Sequence, residues 1–266
     1  MPKISFTKMV ASGNDFVVIE RSPYSAINSP QILVRRICDR KFGIGADGLL
    51  LLEKSKIADV KMYIFNPDGS EAEMCGNGAR CGALYVGRRN TAIETKAGII
   101  ESELKGDNVK IKLTNPVNMK LDIPIKVNNR NLKANFIDTG VPHTVIFVDG
   151  LDEIHVSQIG RVIRNHKKFA PRGTNVDFVE VLSKDLIGIR TYERGVEDET
   201  LACGTGAVAA ALLYAIRYRL YAIRKINVYT KSGDILKVYF KRINDDFKDV
   251  WLEGKTKIVY KGEYYV

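Results

Sequence analysis

The sequence predicts an α/β (α+β) fold with two similar halves, each mostly strands with one principal apolar helix. Three observations support this prediction. The composition, 45% hydrophobic and 27% charged in 266 residues, is that of a globular protein with room for one large core or two smaller ones. Two Cys-Gly-x-Gly motifs each open an Ala-rich segment of helical type. Strand-like segments surround both motifs in the same order, which indicates an internal duplication.

The two motifs begin at Cys75 and Cys203. Cys75 opens CGNGARCGALYVG, and Cys203 opens CGTGAVAAALLYA. A strand-like segment follows each motif and ends in Thr-Lys-x-Gly, as TKAG at residues 95–98 and TKSG at 230–233. Alternating apolar residues come next in both halves, as expected for a further strand. We therefore expect each cysteine directly before the start of a helix.

The likeness between the halves continues upstream of the motifs. Gly13 lies 62 residues before Cys75, and Gly140 lies 63 before Cys203. The corresponding segments are SGNDFVVI (12–19) with TGVPHTVI (139–146), GLLLLE (48–53) with NVDFVE (175–180), and YIFNPDG (63–69) with IRTYERG (189–195). We predict a first half at 1–117, joined by the last strand at 256–266, and a second half at 118–255. The active site is expected in the cleft between them, because like halves present like groups across one cleft.

The charge and the apolar pattern favour a soluble cytoplasmic protein. The formal net charge is +10, but the basic residues are spread along the chain, so we expect a solvated basic surface and no nucleic-acid partner. The first residues, MPKISFTKMV, lack the apolar segment of a signal peptide. The longest uncharged stretch, 201–216, is shorter than the ~20 residues of a membrane span. We expect no membrane association, and reduced cysteines.

Cysteine is the only reactive side chain that occupies the same point in both halves. Inversion of an α-carbon needs a base on one face and an acid on the other, and a thiolate and a thiol can fill these roles. The pKa of a thiol, about 8.5, is lowered at a helix N-terminus. The motif glycines leave the first helical turn open, so its N–H groups can bind a substrate carboxylate. We predict an amino-acid epimerase without a cofactor, since no cysteine or histidine spacing indicates a metal.

Other motifs have weaker interpretations. GIGADG at residues 43–48 matches G-x-G-x-x-G, but a strand-like run follows it, so we interpret it as a turn rather than a dinucleotide site. Cys75 with His143 would suit a thiol hydrolase, but that interpretation leaves the duplication without a role. Cys38 and Cys81 have no counterpart in the other half, and we expect both to be small buried residues.

Several segments together resemble one known family. They are SGNDF (12–16), GIGADG (43–48), FNPDGSEAEMCGNGARC (65–81), PH (142–143), GTNVDF (173–178) and YERGVEDETLACGTGA (192–207). At these segments, and over nearly its whole length, the chain resembles the diaminopimelate epimerases. The resemblance implies two pseudo-symmetric halves, each a curved, mostly antiparallel sheet around a central helix. It also implies an isomerase of lysine biosynthesis that interconverts LL- and meso-2,6-diaminopimelate without pyridoxal phosphate, and a homodimer.

The resemblance further implies a role for each matching residue. Cys75 and Cys203 correspond to the acid/base pair, with His143 beside Cys75 and Glu193 beside Cys203. The backbone at 76–77 and 204–205 would bind the reacting carboxylate. Side chains would bind the substrate's ammonium groups or its distal end. The substrate-binding set implied in this way is Asn14, Asn66, Gly76, Asn77, Asn175, Glu193, Arg194, Gly204 and Thr205.

Two positions depart from the pattern of some family members. Gly48 and Val141 stand where some members have Gln and Asn, which leaves the contacts to the distal end of the substrate open. One extra residue also lies between Arg194 and Cys203. The alternative is a related cofactor-independent racemase of the proline, hydroxyproline or histidine type. Arg194 favours the first interpretation, because it suggests a second substrate carboxylate, which proline lacks.

Overall fold

A computed structural model describes residues 3–21, 29–244 and 246–265 of the chain. The chain forms two compact units. Unit 1 consists of Met1–Ile111 with Gly254–Val266, and unit 2 of Lys112–Glu253. Each unit combines helices with a larger share of strand, so the predicted α/β fold class is confirmed.

Unit 1 consists of helices packed on strands that pair both parallel and antiparallel. Its helices are α1 (Pro30–Ile37) and α2 (Gly76–Val86), and its strands are β1 (Lys3–Ala11), β2 (Asn14–Glu20), β3 (Gly48–Glu53), β4 (Val60–Phe65), β5 (Glu71–Ala72), β6 (Asn90–Thr95), β7 (Gly98–Lys105), β8 (Asn108–Lys112) and the later residues of β17 (Asp246–Tyr265). The strands pair in the order β17–β1–β2–β3–β4–β6–β7–β8. The pairs β2–β3 and β4–β6 are parallel, and the others are antiparallel.

Unit 2 contains the same kinds of element. Its helices are α3 (Val156–Arg164) and α4 (Gly204–Arg217), and its strands are β9 (Val117–Val127), β10 (Arg130–Asp138), β11 (Pro142–Phe147), β12 (Asn175–Ser183), β13 (Leu186–Glu193), β14 (Asp198–Thr200), β15 (Lys225–Tyr229), β16 (Ile235–Ile243) and the earlier residues of β17. The strands pair in the order β9–β10–β11–β12–β13–β15–β16–β17. The pairs β11–β12 and β13–β15 are parallel.

The two units share one topology. Parallel and antiparallel pairs follow in the same order from β17–β1 to β7–β8 and from β9–β10 to β16–β17. The register agrees as well, because Phe16 lies opposite Gly48 in unit 1 and His143 lies opposite Asn175 in unit 2. This agreement confirms the internal duplication that the sequence predicted.

Helices α2 and α4 form the interior of their units. Every residue of α4 from Gly206 to Ile216 is buried, and a helix that is apolar all round belongs in a core. In α2 the buried stretch is 77–83. Gly82 lets α2 lie close to β4, because a Cβ at that position would lie 2.9 Å from the sulfur of Met62.

Helix α1 covers the other face of the same strands. Its buried residues Leu33, Val34 and Ile37 pack in one cluster with alternate residues of β2 and β3. The intervening residues face α2, as Leu50 does beside Gly78. Strands buried on both faces are apolar throughout, which explains the continuous runs FVVI and LLLL in the sequence.

The structure agrees with the interpretation of two cysteines and one glycine-rich segment. Cys38 and Cys81 are buried, and burial raises the pKa of Cys38 to about 11 and the pKa of Cys81 above its ordinary value. Neither thiol therefore ionises near neutral pH. Residues 43–47 form bends and irregular backbone before β3 and open no helix. Among the residues described, no helix is long and apolar enough to cross a membrane.

Candidate active site

Cys75 is the N-cap residue of α2. Its backbone is extended, with φ −142° and ψ 120°, and its half-buried Sγ accepts a hydrogen bond from the Gly78 N–H at 3.5 Å. The first N–H groups of a helix have no partner within the helix and carry a partial positive charge. The cap position therefore favours a negative charge on the Cys75 sulfur and leaves N–H groups near it for an anionic ligand.

A buried arginine holds the residues next to Cys75. Arg80 is fully buried, and one of its nitrogens donates to Asn77 Oδ1 at 2.5 Å and to Ser12 Oγ at 3.2 Å. Its other terminal nitrogen donates to the carbonyl oxygen of Lys255 at 3.2 Å. These bonds fix the Asn77 side chain in the first turn of α2. Sequence reasoning missed Arg80, although a charged residue within an Ala/Gly-rich helix was a usable signal.

Asn14 and Asn66 bond to loops of unit 1. Asn14 Nδ2 donates to Asp47 Oδ2 at 3.1 Å. Asp47 belongs to an ionic cluster with Asp15 and Arg40. Burial opposes ionisation of Asp15, but hydrogen bonds from Arg40 and Lys8 outweigh it and lower its pKa well below the ordinary range.

Asn66 follows β4 directly and is exposed. Its Nδ2 donates to Ser70 Oγ at 3.0 Å, and its backbone N–H donates to the Ser70 carbonyl oxygen at 2.8 Å. The side chain is therefore held in a turn and still open to solvent.

Cys203 is the N-cap residue of α4, the position that Cys75 has on α2. Its φ is −116° and its ψ is 114°, and its Sγ lies 3.4 Å from Thr205 Oγ1. Cys203 is more deeply buried than Cys75. Burial, followed by the negative charges of Glu193 and Asp177, raises its pKa well above the ordinary value, while hydrogen bonding with the Thr205 side chain and with the Gly206 N–H opposes the shift. Burial therefore favours the neutral thiol form of Cys203.

A hydrogen-bonded chain leads from Cys203 into the core of unit 2. Thr205 Oγ1 lies 2.9 Å from His143 Nε2, and His143 Nδ1 lies 2.8 Å from Asp177 Oδ2. Thr191 Oγ1 donates to Asp177 Oδ1 at 2.8 Å. The side chains of His143 and Asp177 are completely buried. Sequence reasoning missed Asp177 and Thr191; the signal for Asp177 was a charge within the apolar strand NVDFV.

The remaining predicted residues of unit 2 adjoin this chain. Asn175 Oδ1 accepts from the Arg194 N–H at 2.8 Å, and its Nδ2 donates to the Pro142 carbonyl oxygen at 3.0 Å. Arg194 Nη1 donates to the carbonyl oxygen of Arg172 at 3.2 Å. Glu193 ends β13 and is half-buried, and burial raises its pKa.

The two units differ beneath their cysteines. In unit 1 a Cβ on Gly78 would lie 3.1 Å from Leu50 Cδ2 and 3.7 Å from Phe16 Cζ. In unit 2 a Cβ on Gly206 would lie 2.5 Å from Asp177 Oδ1. The parallel pairs β2–β3 and β11–β12 make Phe16 equivalent to His143 and Leu50 equivalent to Asp177. The same place in the fold is thus apolar in unit 1 and ionisable in unit 2.

Asn14 and Asn66 bond to loops of unit 1, and the other predicted residues of each unit lie around the N-terminus of the central helix. In unit 1 these are Cys75, Gly76 and Asn77; in unit 2 they are Cys203, Gly204, Thr205, His143, Asn175, Glu193 and Arg194. The association of His143 with Cys75 stays a prediction. Among residues 3–21, 29–244 and 246–265, no group of three or more His, Cys, Asp or Glu side chains could hold a metal ion.

Comparisons with known sequences agree on one family. The family model described as diaminopimelate epimerase matches residues 6–119 and 135–257. The diaminopimelate epimerase of Aquifex aeolicus is 40% identical over 97% of each chain. The enzyme of the same name from Caldanaerobacter subterraneus is 42% identical over 97% of this chain and 98% of its own.

Solved structures show a similar fold at low sequence identity. A Bacillus anthracis phenazine biosynthesis protein of the PhzF family has a TM-score of 0.76 at 18% identity and covers both chains completely. A hydroxyproline epimerase from Agrobacterium vitis has a TM-score of 0.71 at 15% identity, over 98% of this chain and 92% of its own. At these identities the likeness concerns the fold alone.

Proposed function

We propose that this chain, which belongs to the diaminopimelate epimerase family, interconverts LL- and meso-2,6-diaminopimelate with Cys75 and Cys203 as its acid/base pair. The family makes the chain an isomerase, as the sequence predicted, and its activity belongs to lysine biosynthesis. The observation that carries the assignment of the two cysteines is their equivalence. Each is the N-cap residue of the central helix in one of two units with the same topology.

The proposed reaction moves one proton on each face of the α-carbon. One cysteine, as thiolate, removes the α-proton, and the other, as thiol, donates a proton to the opposite face. The two exchange roles in the reverse direction. This scheme requires the active site to lie in a cleft between the two halves, which remains part of the proposal. It needs neither pyridoxal phosphate nor a metal.

The two helix N-termini supply the proposed binding site for the reacting carboxylate. The N–H groups at Gly76, Asn77, Gly204 and Thr205 belong to first helical turns, which attract anions. The same groups stabilise the negative charge that develops as the α-proton leaves. His143 and Glu193 are proposed to adjust the protonation of the thiols. The influence of Glu193 on the pKa of Cys203 supports its part of this assignment.

The distal end of the substrate carries a second carboxylate and a second ammonium group. We assign its binding to Asn14, Asn66, Asn175 and Arg194. Exposed Asn66 and half-buried Arg194 support this, since both retain surface toward solvent. Gly48 and Val141 offer no polar side chain there, so the distal contacts rest on the other residues. Family resemblance supports a homodimer, and we also propose a cytoplasmic location. The spread of the basic residues along the chain supports the absence of a nucleic-acid partner.

The direct test is incubation of the purified protein with LL-diaminopimelate in deuterated water. We expect meso product labelled at one α-carbon, with an unchanged rate in the presence of a chelator or a carbonyl reagent. Proline, hydroxyproline and histidine serve as competing substrates in parallel assays. Faster turnover of any of these, or complete loss of activity with the chelator, would contradict the proposal.

A further inference from the structure

Asp177 is a completely buried carboxylate for which the proposed mechanism has no role. It lies on β12 against the first turn of α4, where its Oδ1 accepts from Thr191 Oγ1 and its Oδ2 faces His143 Nδ1. A buried charge is costly unless hydrogen bonds compensate it, and here both oxygens are bonded. The fold itself does not need a charge at this place, because unit 1 has Leu50 there.

The neighbours of His143 determine which of its nitrogens carries the proton. An ionised Asp177 can only accept, so the 2.8 Å contact requires a proton on Nδ1. The backbone N–H of Arg194 donates to Asn175 Oδ1, and this bond fixes the orientation of the Asn175 amide. The other end of the amide, Nδ2, then lies 3.5 Å from His143 Nε2, and Nδ2 can only donate. Nε2 is therefore the unprotonated nitrogen, and it accepts from Thr205 Oγ1 at 2.9 Å.

The remaining hydrogen bond then has one direction. Thr205 donates its only hydroxyl proton to His143 Nε2, so Thr205 Oγ1 accepts from the Cys203 thiol at 3.4 Å. All donors point the same way, from Cys203 through Thr205 and His143 to Asp177. This is the arrangement in which a buried base can receive a thiol proton through a hydroxyl group.

We infer that Asp177 is a positioning residue, which holds His143 so that its Nε2 receives the Cys203 proton through Thr205. This inference rests on the proposed role of Cys203. In the step, the Cys203 S–H bond breaks and its proton goes to Thr205 Oγ1, while the Thr205 hydroxyl proton goes to His143 Nε2. A thiolate and an imidazolium form, the net charge is unchanged, and Asp177 stays ionised and stabilises the imidazolium.

Asp177→Asn tests the inference with almost no change in shape. Thr191 still donates to the amide oxygen, so the amide nitrogen faces His143 Nδ1, which must then accept. The proton moves to Nε2, and the path from Thr205 is blocked. We expect kcat to fall by ~10²-fold or more, the typical range for one acid/base group, with KM changed less than about threefold. Because the equilibrium constant is fixed, kcat/KM falls by the same factor in both directions.

A spectroscopic measurement separates positioning from a purely structural role. In protein labelled with ¹⁵N-histidine, His143 is assigned by the signal that His143→Gln removes. We expect the Nδ1–H tautomer in the unaltered protein and the Nε2–H tautomer in Asp177→Asn. Retention of the Nδ1–H tautomer together with a normal kcat would overturn the inference.

A second pair of variants covers the case in which Asp177→Asn fails to fold. Thr205→Val removes the bridging hydroxyl, and Thr205→Ser restores it. We expect a large loss of kcat in the first and recovery to within about threefold in the second. The matched control is Thr144→Val. Thr144 lies next to His143 on β11, and its buried hydroxyl donates to Thr174 Oγ1 instead of to the chain from Cys203. This control should keep normal kcat.

The outcomes distinguish the inference from the proposed function. If the unaltered protein does not epimerise diaminopimelate, the proposed function fails. If it does, and Cys203→Ser is inactive while Thr205→Val is fully active, only the inference fails. The double variant Asp177→Asn/Thr205→Val should be no slower than the slower single variant, because both changes interrupt one chain. Fully multiplicative losses would also overturn the inference.

Discussion

Replacement of Gly206 by alanine places a methyl group against the Asp177 carboxylate. The new Cβ would lie 2.5 Å from Asp177 Oδ1 and 3.3 Å from Cys203 Cβ. An ordinary contact is about 3.4 Å, so the oxygen must move by about 0.9 Å (3.4 − 2.5). That movement weakens the bonds from Thr191 and His143 to the same carboxylate.

The expected loss of stability follows from three contributions. Overpacking costs about 1–3 kcal/mol, and a weakened hydrogen bond to a charged group costs about 1.5–3 kcal/mol. Alanine stabilises a helix by about 1 kcal/mol relative to glycine, which offsets part of this loss. The free energy of unfolding should therefore fall by about 1.5–5 kcal/mol. Epimerisation should slow as well, because the His143 side chain loses its fixed orientation.

Gly78→Ala is the matched control in unit 1. Its Cβ would lie 3.1 Å from Leu50 Cδ2, a methyl group that can move by a few tenths of an ångström. The free energy of unfolding should stay within about 1 kcal/mol of the unaltered protein, because the helix gain offsets the tight contact. Urea unfolding followed by circular dichroism, with the epimerisation rate measured in parallel, compares the two variants. Equal destabilisation, or normal activity in Gly206→Ala, would refute the reasoning.

Three further predictions follow from the same contacts. Cys75→Ser and Cys203→Ser should each lose turnover by ~10²–10⁴-fold, yet retain slow α-deuterium exchange with opposite epimers; retention with the same epimer would contradict the two-face mechanism. Glu193→Gln removes a negative charge that raises the pKa of Cys203. In a Cys75→Ser background, the ultraviolet absorbance of the Cys203 thiolate should therefore appear at lower pH than with Glu193 present. An unchanged titration would exclude this influence of Glu193. Arg80→Met should lower the free energy of unfolding by about 1–3 kcal/mol, because the buried Asn77 oxygen loses a charged donor; an unchanged urea midpoint would contradict this.

The fold class and the two cysteines could be predicted because each rests on a local pattern. The Cys-Gly-x-Gly motif before an Ala-rich run predicts a helix that starts after the cysteine, and both Cys75 and Cys203 are N-caps. The continuous apolar runs at 16–19 and 49–52 belong to parallel strands buried on both faces. The duplication followed from the repeated order of such segments.

The hydrogen-bond network around Cys203 could not be predicted in the same way. His143 and Asp177 are 34 residues apart and meet because β11 and β12 pair in parallel with a particular register. A shift of that register by one residue would turn Asp177 to the other face of the sheet. Arg80 is a similar case, since its partners are distant in the chain: Ser12 lies in the turn between β1 and β2, and Lys255 lies on β17.

The sequence by itself determined the duplicated α/β fold, the family, and the placement of one cysteine before each central helix, because these follow from composition, periodicity and motifs of adjacent residues. Only the tertiary structure decided what lies beneath each helix start: Phe16 and Leu50 in unit 1, His143 and Asp177 in unit 2. The physical reason is that burial and hydrogen-bond direction depend on strand register and on the close approach of Gly78 and Gly206, which residues distant in the chain establish together.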